Sequence, residues 1–413
     1  MRVLLSRARL AGGRPTDSLA DVLVEDGRVV ATEAAGTLDG VDGVDGVDHI
    51  DLDGRLLLGA FAEPHAHLDK AGTVDDVANP AGDLSGAVAA WRAHRSTLSV
   101  EDIARRARSA ALDALRRGTT AIRTHVDVGP GVELRGVDAL VAVRAELRDL
   151  VDVQIVVMSY PLSGDPDAAA AARRRLEEAL ERGADLVGGT PHGEPDPAAA
   201  MSVALDVADR FGRGVDLHMD EHLRPSLDVV ELARLKRAGF AHPVAASHLS
   251  SLAMRTEAEQ HDVARVLAEA GVDVIACPAT NLYLQARDRP SAPPRGLTAV
   301  RALLAGGVRV AGGGDNVQDP FNPLGSGDPL DSAQLLVLAG HVPPDQAVTM
   351  VGDGARAVLG LPAAGVTVGA LADLVAVRAG SVREVVAERS ADRIVLRRGR
   401  VVARTTQTAE VAW

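Results

Sequence analysis

Two histidines separated by one residue, His65 and His67, stand where a predicted buried strand ends. An apolar run over residues 56–61 precedes them. Histidines at positions i and i+2 can face one point where the chain leaves the pleat of a strand, so both imidazoles could bind one divalent metal ion. The same spacing also fits two polar residues that simply lead from a strand into a loop. The positions of the other titratable residues decide between these interpretations.

Five further predicted strands also end in titratable or polar residues. These are His125 and Asp127, His192 and Glu194, His218 and Glu221, His248, and the pair Asp315 and Asn316. The carboxyl ends of parallel strands that close into a barrel lie on one face, where functional residues gather. The side chains at six strand ends are therefore expected to converge, which favours the metal-site interpretation of His65 and His67.

The middle of the chain alternates short apolar runs with amphipathic helical patterns, which is typical of parallel βα units. The predicted strands are 56–62, 119–126, 151–158, 185–190, 214–218, 243–248, 272–277 and 308–314. Helical patterns between them include 101–117, 168–182, 255–270 and 328–340. Eight such units over roughly 300 residues predict a (β/α)8 TIM barrel. A doubly wound open sheet is the alternative, but no Gly-rich phosphate turn follows the first strand.

Both ends of the chain carry short strand and hairpin patterns. Asp26-Gly27 lies between two apolar runs, which is a hairpin signal, and 370–377 and 393–403 also resemble strands. We therefore expect a small β-sandwich-like unit from residues 1–55 and 361–413, with the barrel at 56–360 between them. A Gly-Val-Asp repeat over 40–48 is predicted to be an acidic solvent loop rather than a calcium site.

The composition restricts the class of partner. A formal net charge of -13 over 413 residues argues against nucleic acid or an anionic membrane as partner. The single cysteine, Cys277, excludes an intrachain disulfide framework and fits a reducing compartment. Neither a signal peptide nor an apolar span of 18 residues is found. We expect a cytoplasmic protein, a homo-oligomer, whose partner is a small molecule.

Five motifs in chain order, EPHAHLDK, RTHVDV, LHMDE, ASH and GGGDN, resemble the amidohydrolase superfamily and most of all its cytosine-deaminase-like branch. The resemblance covers nearly the whole chain and includes enzymes of the N-isopropylammelide amidohydrolase type. It implies one divalent metal ion, zinc or iron, bound by His65, His67, His218 and Asp315. Three imidazoles and a carboxylate suit either metal and leave a position for water. The hydroxide formed there would attack the substrate.

The resemblance also implies catalytic roles. Asp315 would take a proton from the water, His248 would stabilise the developing charge, and Glu221 would protonate a ring nitrogen and then the leaving amine. Glu221 could instead be an acid in the first turn of a helix, and His248 a capping or core histidine. His125 and His192 could be pocket residues or could orient a metal ligand.

The number of metal ions follows from the fourth predicted strand. Members of the superfamily that bind two ions usually bridge them with a modified lysine at the end of this strand. Residues 184–190 contain no lysine, and the only lysines of the chain are Lys70 and Lys236. The resemblance therefore implies a site with one ion and favours deaminases over hydantoinase-like or urease-like enzymes.

Departures from the branch's pattern fall at positions expected to contact the substrate. Tyr160 stands where cytosine deaminases have a glutamine, and Asn316 replaces a second aspartate, so the pattern of donors and acceptors differs. Lys70 is a candidate pocket cation or a solvated loop lysine. Asn281 and Gln285 resemble the pocket-lining loop after the seventh strand.

The expected reaction is hydrolysis of an exocyclic C–N bond of a small nitrogen heterocycle by an aminohydrolase, or deaminase. Cytosine, another pyrimidine, a pterin or a triazine are the candidate substrates. The alternative on the same scaffold is an amidohydrolase that releases an alkylamine or opens a cyclic amide.

Overall fold

The computed structural model describes residues 1–11, 18–38 and 47–412, so most of the predicted acidic loop at 40–48 lies outside the described residues. The chain begins with five strands of one sheet. They are β1 (Arg2–Leu10), β2 (Ala20–Glu25), β3 (Arg28–Ala34), β4 (Asp48–Asp51) and β5 (Leu56–Gly59). The predicted hairpin forms between β2 and β3, where Asp26 and Gly27 have φ angles of 48° and 78°. Both central residues of such a turn need positive φ, which Asp-Gly adopts readily.

Eight parallel strands then form the predicted barrel. They are β6 (Phe61–Ala66), β7 (Thr119–Asp127), β8 (Asp152–Met158), β9 (Leu186–Gly189), β10 (Val215–Met219), β11 (Val244–His248), β12 (Val272–Ala276) and β13 (Val310–Gly312). They lie side by side in chain order. The backbone N–H of Asp315 donates to the carbonyl of His65 at 2.9 Å, which joins the last strand to the first. The barrel is therefore closed at its carboxyl end by two residues of the candidate site.

Three C-terminal strands return to the first sheet: β14 (Leu374–Val377), β15 (Arg393–Arg397) and β16 (Arg400–Thr405). The sheet has the order β16-β15-β14-β5-β1-β2-β3, and β4 pairs with β1. Strand β14 is antiparallel to β5, so both ends of the chain build one sheet. The predicted fold, a barrel beside a small β unit made by both termini, is confirmed.

The predicted strand over 56–62 is in fact two strands, and this corrects the sequence analysis. Strand β5 belongs to the terminal sheet, and β6 begins the barrel. The backbone N–H of Ala60 donates to the carbonyl of Asp373 in the terminal sheet, whereas that of Phe61 donates to the carbonyl of Gly118 beside the barrel. The chain therefore passes from one sheet to the other at Ala60.

Helices cover the outside of the barrel. They are α1 (Leu84–His94), α2 (Val100–Arg116), α3 (Arg135–Leu147), α4 (Pro166–Glu181), α5 (Pro197–Arg210), α6 (Val229–Arg237), α7 (Glu257–Ala270), α8 (Pro278–Leu284), α9 (Val300–Ala305), α10 (Pro329–Leu338), α11 (Pro344–Val351), α12 (Asp353–Val358) and α13 (Val382–Glu388). The four predicted helical patterns correspond to α2, α4, α7 and α10. Among the described residues, no helix is long and apolar enough to span a bilayer.

Helix α2 shows why these segments are helical. The side chain of Ser99 accepts a hydrogen bond from the N–H of Asp102, which caps the first turn. Ile103, Ala107 and Ala111 recur at intervals of four residues and are buried on one face. The apolar face packs on the barrel strands, and these strands can then present polar side chains at their carboxyl ends.

Arg393 joins the terminal sheet to the barrel. Its guanidinium is buried and donates two parallel hydrogen bonds to the carboxylate of Asp328, at 2.9 and 2.7 Å. Asp328 also caps helix α10. A further bond of 2.5 Å reaches the carbonyl of Arg117 behind α2. One side chain therefore connects strand β15 to two helices of the barrel.

We expect the substitution Arg393→Ala to lower the free energy of unfolding by about 3–5 kcal/mol, because it leaves the largely buried carboxylate of Asp328 without its partner. Urea titration followed by circular dichroism measures this change. Arg182→Ala is the control, since Arg182 is well exposed in its ion pairs with Asp138 and Glu178 and should contribute about 0–1 kcal/mol. Equal losses in the two variants would contradict the structural role of Arg393.

Candidate metal centre and substrate cavity

Four buried side chains meet at the carboxyl end of the barrel: His65 and His67 from β6 and the residue after it, His218 from β10, and Asp315 after β13. Nε2 of His218 lies 3.2 Å from Nε2 of His65 and 3.1 Å from Nε2 of His67. Oδ1 of Asp315 lies 3.3 Å from Nε2 of His67 and 3.6 Å from Nε2 of His65. The structure thus brings together the four side chains that the sequence predicts as ligands.

These four residues fit a divalent metal ion. Bonds of about 2.0–2.1 Å from an ion to its nitrogen ligands place neighbouring ligand atoms about 3 Å apart. Burial lowers the pKa values of His65, His67 and His218 well below the usual range, so all three are neutral, which is the form that binds metal. Both carboxylate oxygens of Asp315 are buried without a hydrogen-bond partner among the described residues. An ion would satisfy those oxygens.

Two other groups of potential ligands overlap this set. They are His65 with His125 and His218, and His65 with His248, Cys277 and Asp315. Burial, and then the negative charge of Asp315, raises the pKa of the Cys277 thiol well above its usual value, which keeps the thiol protonated and a poor ligand. Nε2 of His125 lies 3.4 Å from Oδ1 of Asp216, which offers that ring a different partner. The chemistry of these alternatives favours the predicted four ligands.

A third group, Asp220 with His222 and Asp228, shares no residue with the four candidate ligands. The carboxylate of Asp220 accepts hydrogen bonds from the backbone N–H groups of Asp228 and Val229 at 2.8 and 3.1 Å. Asp220 therefore organises the start of helix α6, in agreement with a structural role.

His248, at the end of β11, stacks on His218 with ring centroids 5.0 Å apart. The side-chain amide nitrogen of Asn281 lies 3.3 Å from its Nδ1, and this contact favours the tautomer of the neutral ring that carries the proton on Nε2. Burial lowers the pKa of His248 to about 4 and keeps it neutral. Its Nε2 has no protein partner among the described residues. His248 therefore offers a free N–H donor at the cavity.

Glu221 lies beside His248, with Oε1 at 3.7 Å from Nδ1 of that ring, and lines the same cavity. Burial, and then the charge of Asp315, raises the pKa of Glu221 well above its usual value. Burial therefore favours the protonated form of the carboxyl group, which can donate a proton. Gln285 holds the backbone of this residue by donating to the Glu221 carbonyl at 3.3 Å.

Three residues at this face have left-handed backbone conformations that are uncommon outside glycine. The φ angles are 51° at Asp220, 71° at His248 and 64° at Asp315. Such conformations cost about 1–3 kcal/mol each and cluster at functional sites. They turn the chain sharply at the ends of strands β10, β11 and β13, which is how side chains from different strands reach one point.

Glu63 is a supporting residue that the sequence analysis did not assign. Its buried carboxylate accepts hydrogen bonds from the N–H of His65 at 3.0 Å and of Gly314 at 2.8 Å. Burial raises its pKa to about 8. A Cβ at Gly314 would lie 2.8 Å from Oε2 of Glu63, so only glycine leaves room for it. Its position two residues before His65 is the one signal that could have pointed to it.

Asp127 is the second residue without an assigned role, and it organises the cavity wall. Its carboxylate accepts from Nζ of Lys70 at 2.8 Å, from Nε1 of Trp91 at 2.7 Å and from the hydroxyl of Tyr160 at 2.5 Å. Burial would lower the pKa of Lys70, but the charges of Asp127 and Asp69 raise it above the usual value. Lys70 is only 2% exposed, which excludes the solvated-loop interpretation.

A cavity of about 970 Å³ opens above the four candidate ligands. Lys70, Tyr160, His192 and Asn316 line it, together with Phe321. The amide of Asn316 donates to Oδ2 of Asp319 at 2.7 Å, and Nδ1 of His192 lies 3.2 Å from the carbonyl of His218. Asn281 and Gln285 do not line the cavity, since they contact His248 and Glu221 from behind.

Comparison with known proteins identifies the family. A model of the amidohydrolase family matches residues 160–403, which is more than half of the chain. The chain belongs to this family. The prediction of a hydrolase that acts on carbon–nitrogen bonds is thereby confirmed, and so is the resemblance on which it depends. Homo-oligomeric assembly and a cytoplasmic location stay predictions.

Three relatives resemble this amidohydrolase over nearly its whole length. Pterin deaminase of Rhizobium rhizogenes is 32% identical over 396 residues, which cover 94% of this chain and 88% of the relative. The crystal structure of 5-methylcytosine deaminase from Klebsiella pneumoniae with 5-fluorocytosine has a TM-score of 0.86 at 29% identity, covering 100% and 99% of the two chains. N-isopropylammelide isopropylaminohydrolase from Burkholderia multivorans has a TM-score of 0.82 at 32% identity, covering 98% of each chain.

The geometry predicts which histidines are needed to hold metal. We expect His218→Ala to lower the metal content of the purified protein to less than half, because the variant loses the imidazole that contacts both other histidines. His222→Ala, four residues away in the group with Asp220 and Asp228, should keep the full content. Inductively coupled plasma mass spectrometry measures both values. Loss of metal from His222→Ala alone would place the ion in the group of Asp220, His222 and Asp228.

Proposed function

We propose that this amidohydrolase is a deaminase, which hydrolyses the exocyclic amino group of a planar nitrogen heterocycle and releases ammonia. The observation that carries this proposal is the buried carboxyl of Glu221, with Oε1 at 3.7 Å from the ring of His248, at a cavity that both residues line. Deamination needs both a proton for the ring and the leaving amine and a donor for the developing negative charge. The two residues lie over the candidate ligands in one cavity.

We infer that the cofactor is one divalent ion, zinc or iron, bound by His65, His67, His218 and Asp315. A bound ion of this kind lowers the pKa of water toward neutrality. Strand β9 offers no lysine that could bridge a second ion, since it reads LVGG. A centre with one ion is therefore favoured.

Asp315 and Glu221 carry out the proton transfers of this reaction. Asp315 accepts a proton from the attacking water through its free carboxylate oxygen. Glu221 donates its proton to a ring nitrogen next to the attacked carbon, then takes the remaining water proton from the hydroxyl group of the adduct and delivers it to the amine, which leaves as ammonia. The proton on Asp315 finally restores the protonated form of Glu221. Nε2–H of His248 donates a hydrogen bond to the substituent that gains negative charge. One C–O bond forms and one C–N bond breaks, with no change of oxidation state.

The size of the cavity favours a bicyclic substrate over cytosine. Its volume of about 970 Å³ lies at the upper end of the range of about 300–1,000 Å³ that is usual for small-molecule pockets. The aromatic rings of Tyr160 and Phe321 are part of its wall. Lys70 supplies a cation that can donate to an oxygen on the ring. The similarity to a pterin deaminase over 94% of the chain supports a substrate of pterin size.

Release of an alkylamine is the second candidate reaction. Part of the cavity wall is apolar, because helix α1 contributes Leu84, Val88 and Ala89 along one side. An N-alkyl substituent could pack there. The similarity to N-isopropylammelide isopropylaminohydrolase supports this reaction. Assays that measure ammonia and alkylamine separately, across pyrimidines, pterins, triazines and their N-alkyl derivatives, distinguish the two reactions.

We expect Glu221→Gln to lower kcat for ammonia release by about 10²–10⁴-fold, because a glutamine cannot donate and recover a proton. The metal content of the variant should equal that of the wild type, since Glu221 is not among the ligands. Glu257→Gln, at a well-exposed position in the first turn of α7, is the matched control and should keep full activity. Unchanged turnover in Glu221→Gln would remove it from the mechanism.

The role of Lys70 is tested by Lys70→Met. We expect KM to rise about tenfold or more, because the variant loses a charged donor to the ring. The substitution also leaves Asp127 buried without a counter-charge, which lowers the stability of the fold. The double variant Lys70→Met/Asp127→Asn removes that unpaired charge, so it should regain the free energy of unfolding while its KM stays high. Lys236→Met, at the only other lysine and outside the cavity lining, is the control. An unchanged KM in both Lys70 variants would contradict contact with the substrate.

A further inference from the structure

Arg95 is a buried cation in the cavity wall without a protein partner for its charge. It lies in a short 3-10 helix, Arg95–Thr97, directly after α1. It is only 7% exposed, and it lines the cavity. Its Nε and Nη1 atoms are buried without a hydrogen-bond partner, and no carboxylate pairs with it in the described part of the chain. A guanidinium remains charged in proteins, so its burial is costly unless a partner is present.

Arg92 lies one turn earlier and lines the same part of the cavity. Its guanidinium carbon is 5.3 Å from the centre of the Tyr160 ring, so the cation rests on the face of that ring. Arg92 is exposed to solvent, unlike Arg95. Across residues 1–11, 18–38 and 47–412, no carboxylate lies within 4.0 Å of it either. The two guanidiniums flank Tyr160 at the outer wall.

The carboxylates that share this wall are already engaged. Asp127 accepts from Lys70, Trp91 and Tyr160. Glu194, across the cavity, accepts from the backbone N–H of Leu162 at 3.0 Å and from Ser163. Neither is a counter-ion for Arg95. The outer wall therefore carries excess positive charge even though the chain as a whole has a net charge of -13.

We propose that Arg95 and Arg92 form an anion-binding subsite for a carboxylate carried by the ring of the substrate, on the side away from the reacting amino group. This inference rests on the proposed function and names a class of substrate for it, an amino-substituted heterocycle with a carboxylate substituent. The planar fork of Arg95 matches a carboxylate, and the buried position makes each hydrogen bond strong. Arg92 adds charge at the solvent side.

The test compares two matched pairs of substrates with the metal-loaded full-length enzyme. One pair is 2-amino-4-oxopteridine bearing a 6-carboxylate or a 6-methyl group; the other is cytosine bearing a 5-carboxylate or a 5-methyl group. In each pair the substituents are similar in size and differ in charge. The quantity measured is the ratio of kcat/KM for the carboxylate to kcat/KM for the methyl compound.

We expect the wild-type ratio to exceed one in at least one pair, and Arg95→Gln to lower that ratio by about 10–100-fold, mainly through KM, as the loss of a charge-assisted hydrogen bond predicts. Arg92→Gln should lower it less, and its effect should weaken as salt increases. Arg287→Gln is the matched control, because Arg287 also lies over a tyrosine ring, that of Tyr283 at 4.2 Å, but outside the cavity lining.

The outcomes separate this inference from the proposed function. If Arg95→Gln lowers kcat/KM equally for the carboxylate and the methyl compound of a pair, Arg95 contacts a neutral part of the ring and the proposed subsite is overturned. If no compound releases ammonia, calorimetric titration of the same compounds decides: tighter binding of the carboxylate that is lost in Arg95→Gln supports the subsite without deamination. Arg95→Lys, which keeps the charge but loses the fork, should have an intermediate ratio and serves if Arg95→Gln does not fold.

Discussion

Three neutral imidazoles and a carboxylate are buried below the cavity with their ligand atoms 3.1–3.6 Å apart. Buried polar atoms without partners are costly, so the surrounding structure has to hold them in place. The hydrogen bond from Asp315 to His65 closes the barrel between two of these residues. Glu63 then fixes both sides of that junction through two backbone N–H groups. The hydrogen bonds that close the barrel therefore also position the residues of the site.

The cavity above this centre is divided by depth. The floor carries the neutral imidazoles of the candidate ligands. The wall carries two buried cations: Lys70, which pairs with Asp127, and Arg95, which has no carboxylate partner among the described residues. Lys70 belongs to both regions, because its Nζ lies 2.8 Å from Asp127 and 3.3 Å from Nδ1 of His67. A change in how the wall binds a ring can therefore reach a candidate ligand through one side chain. Lys70 is therefore a direct physical connection between the candidate metal centre and the cavity wall.

The sequence predicted the barrel and its strands, because apolar periodicity and titratable strand ends are local features, whereas the four candidate ligands were implied by the resemblance of its motifs to the amidohydrolase superfamily. It did not reveal that the chain passes from the terminal sheet to the barrel at Ala60, because residues 56–62 form one apolar run that suits a buried strand of either sheet. Nor did it reveal Asp127 as the centre of the wall, because its three partners, Lys70, Trp91 and Tyr160, come from two loops and a helix that are distant in sequence. Nor did it reveal that Asn281 and Gln285 contact His248 and Glu221 instead of lining the cavity, because the direction of a side chain beyond the end of a strand depends on tertiary packing.

The pairing of β5 with β14 has a consequence for how the molecule is made. Leu58 lies opposite Val375, about 300 residues later in the chain, so the edge of β5 that faces β14 has no partner until that later segment has been synthesised, although the other edge pairs with β1. An apolar strand edge stays open on the ribosome during that time, directly before the first strand of the barrel. Chaperones that cover such an edge would act on this protein at its amino-terminal end, and early in translation.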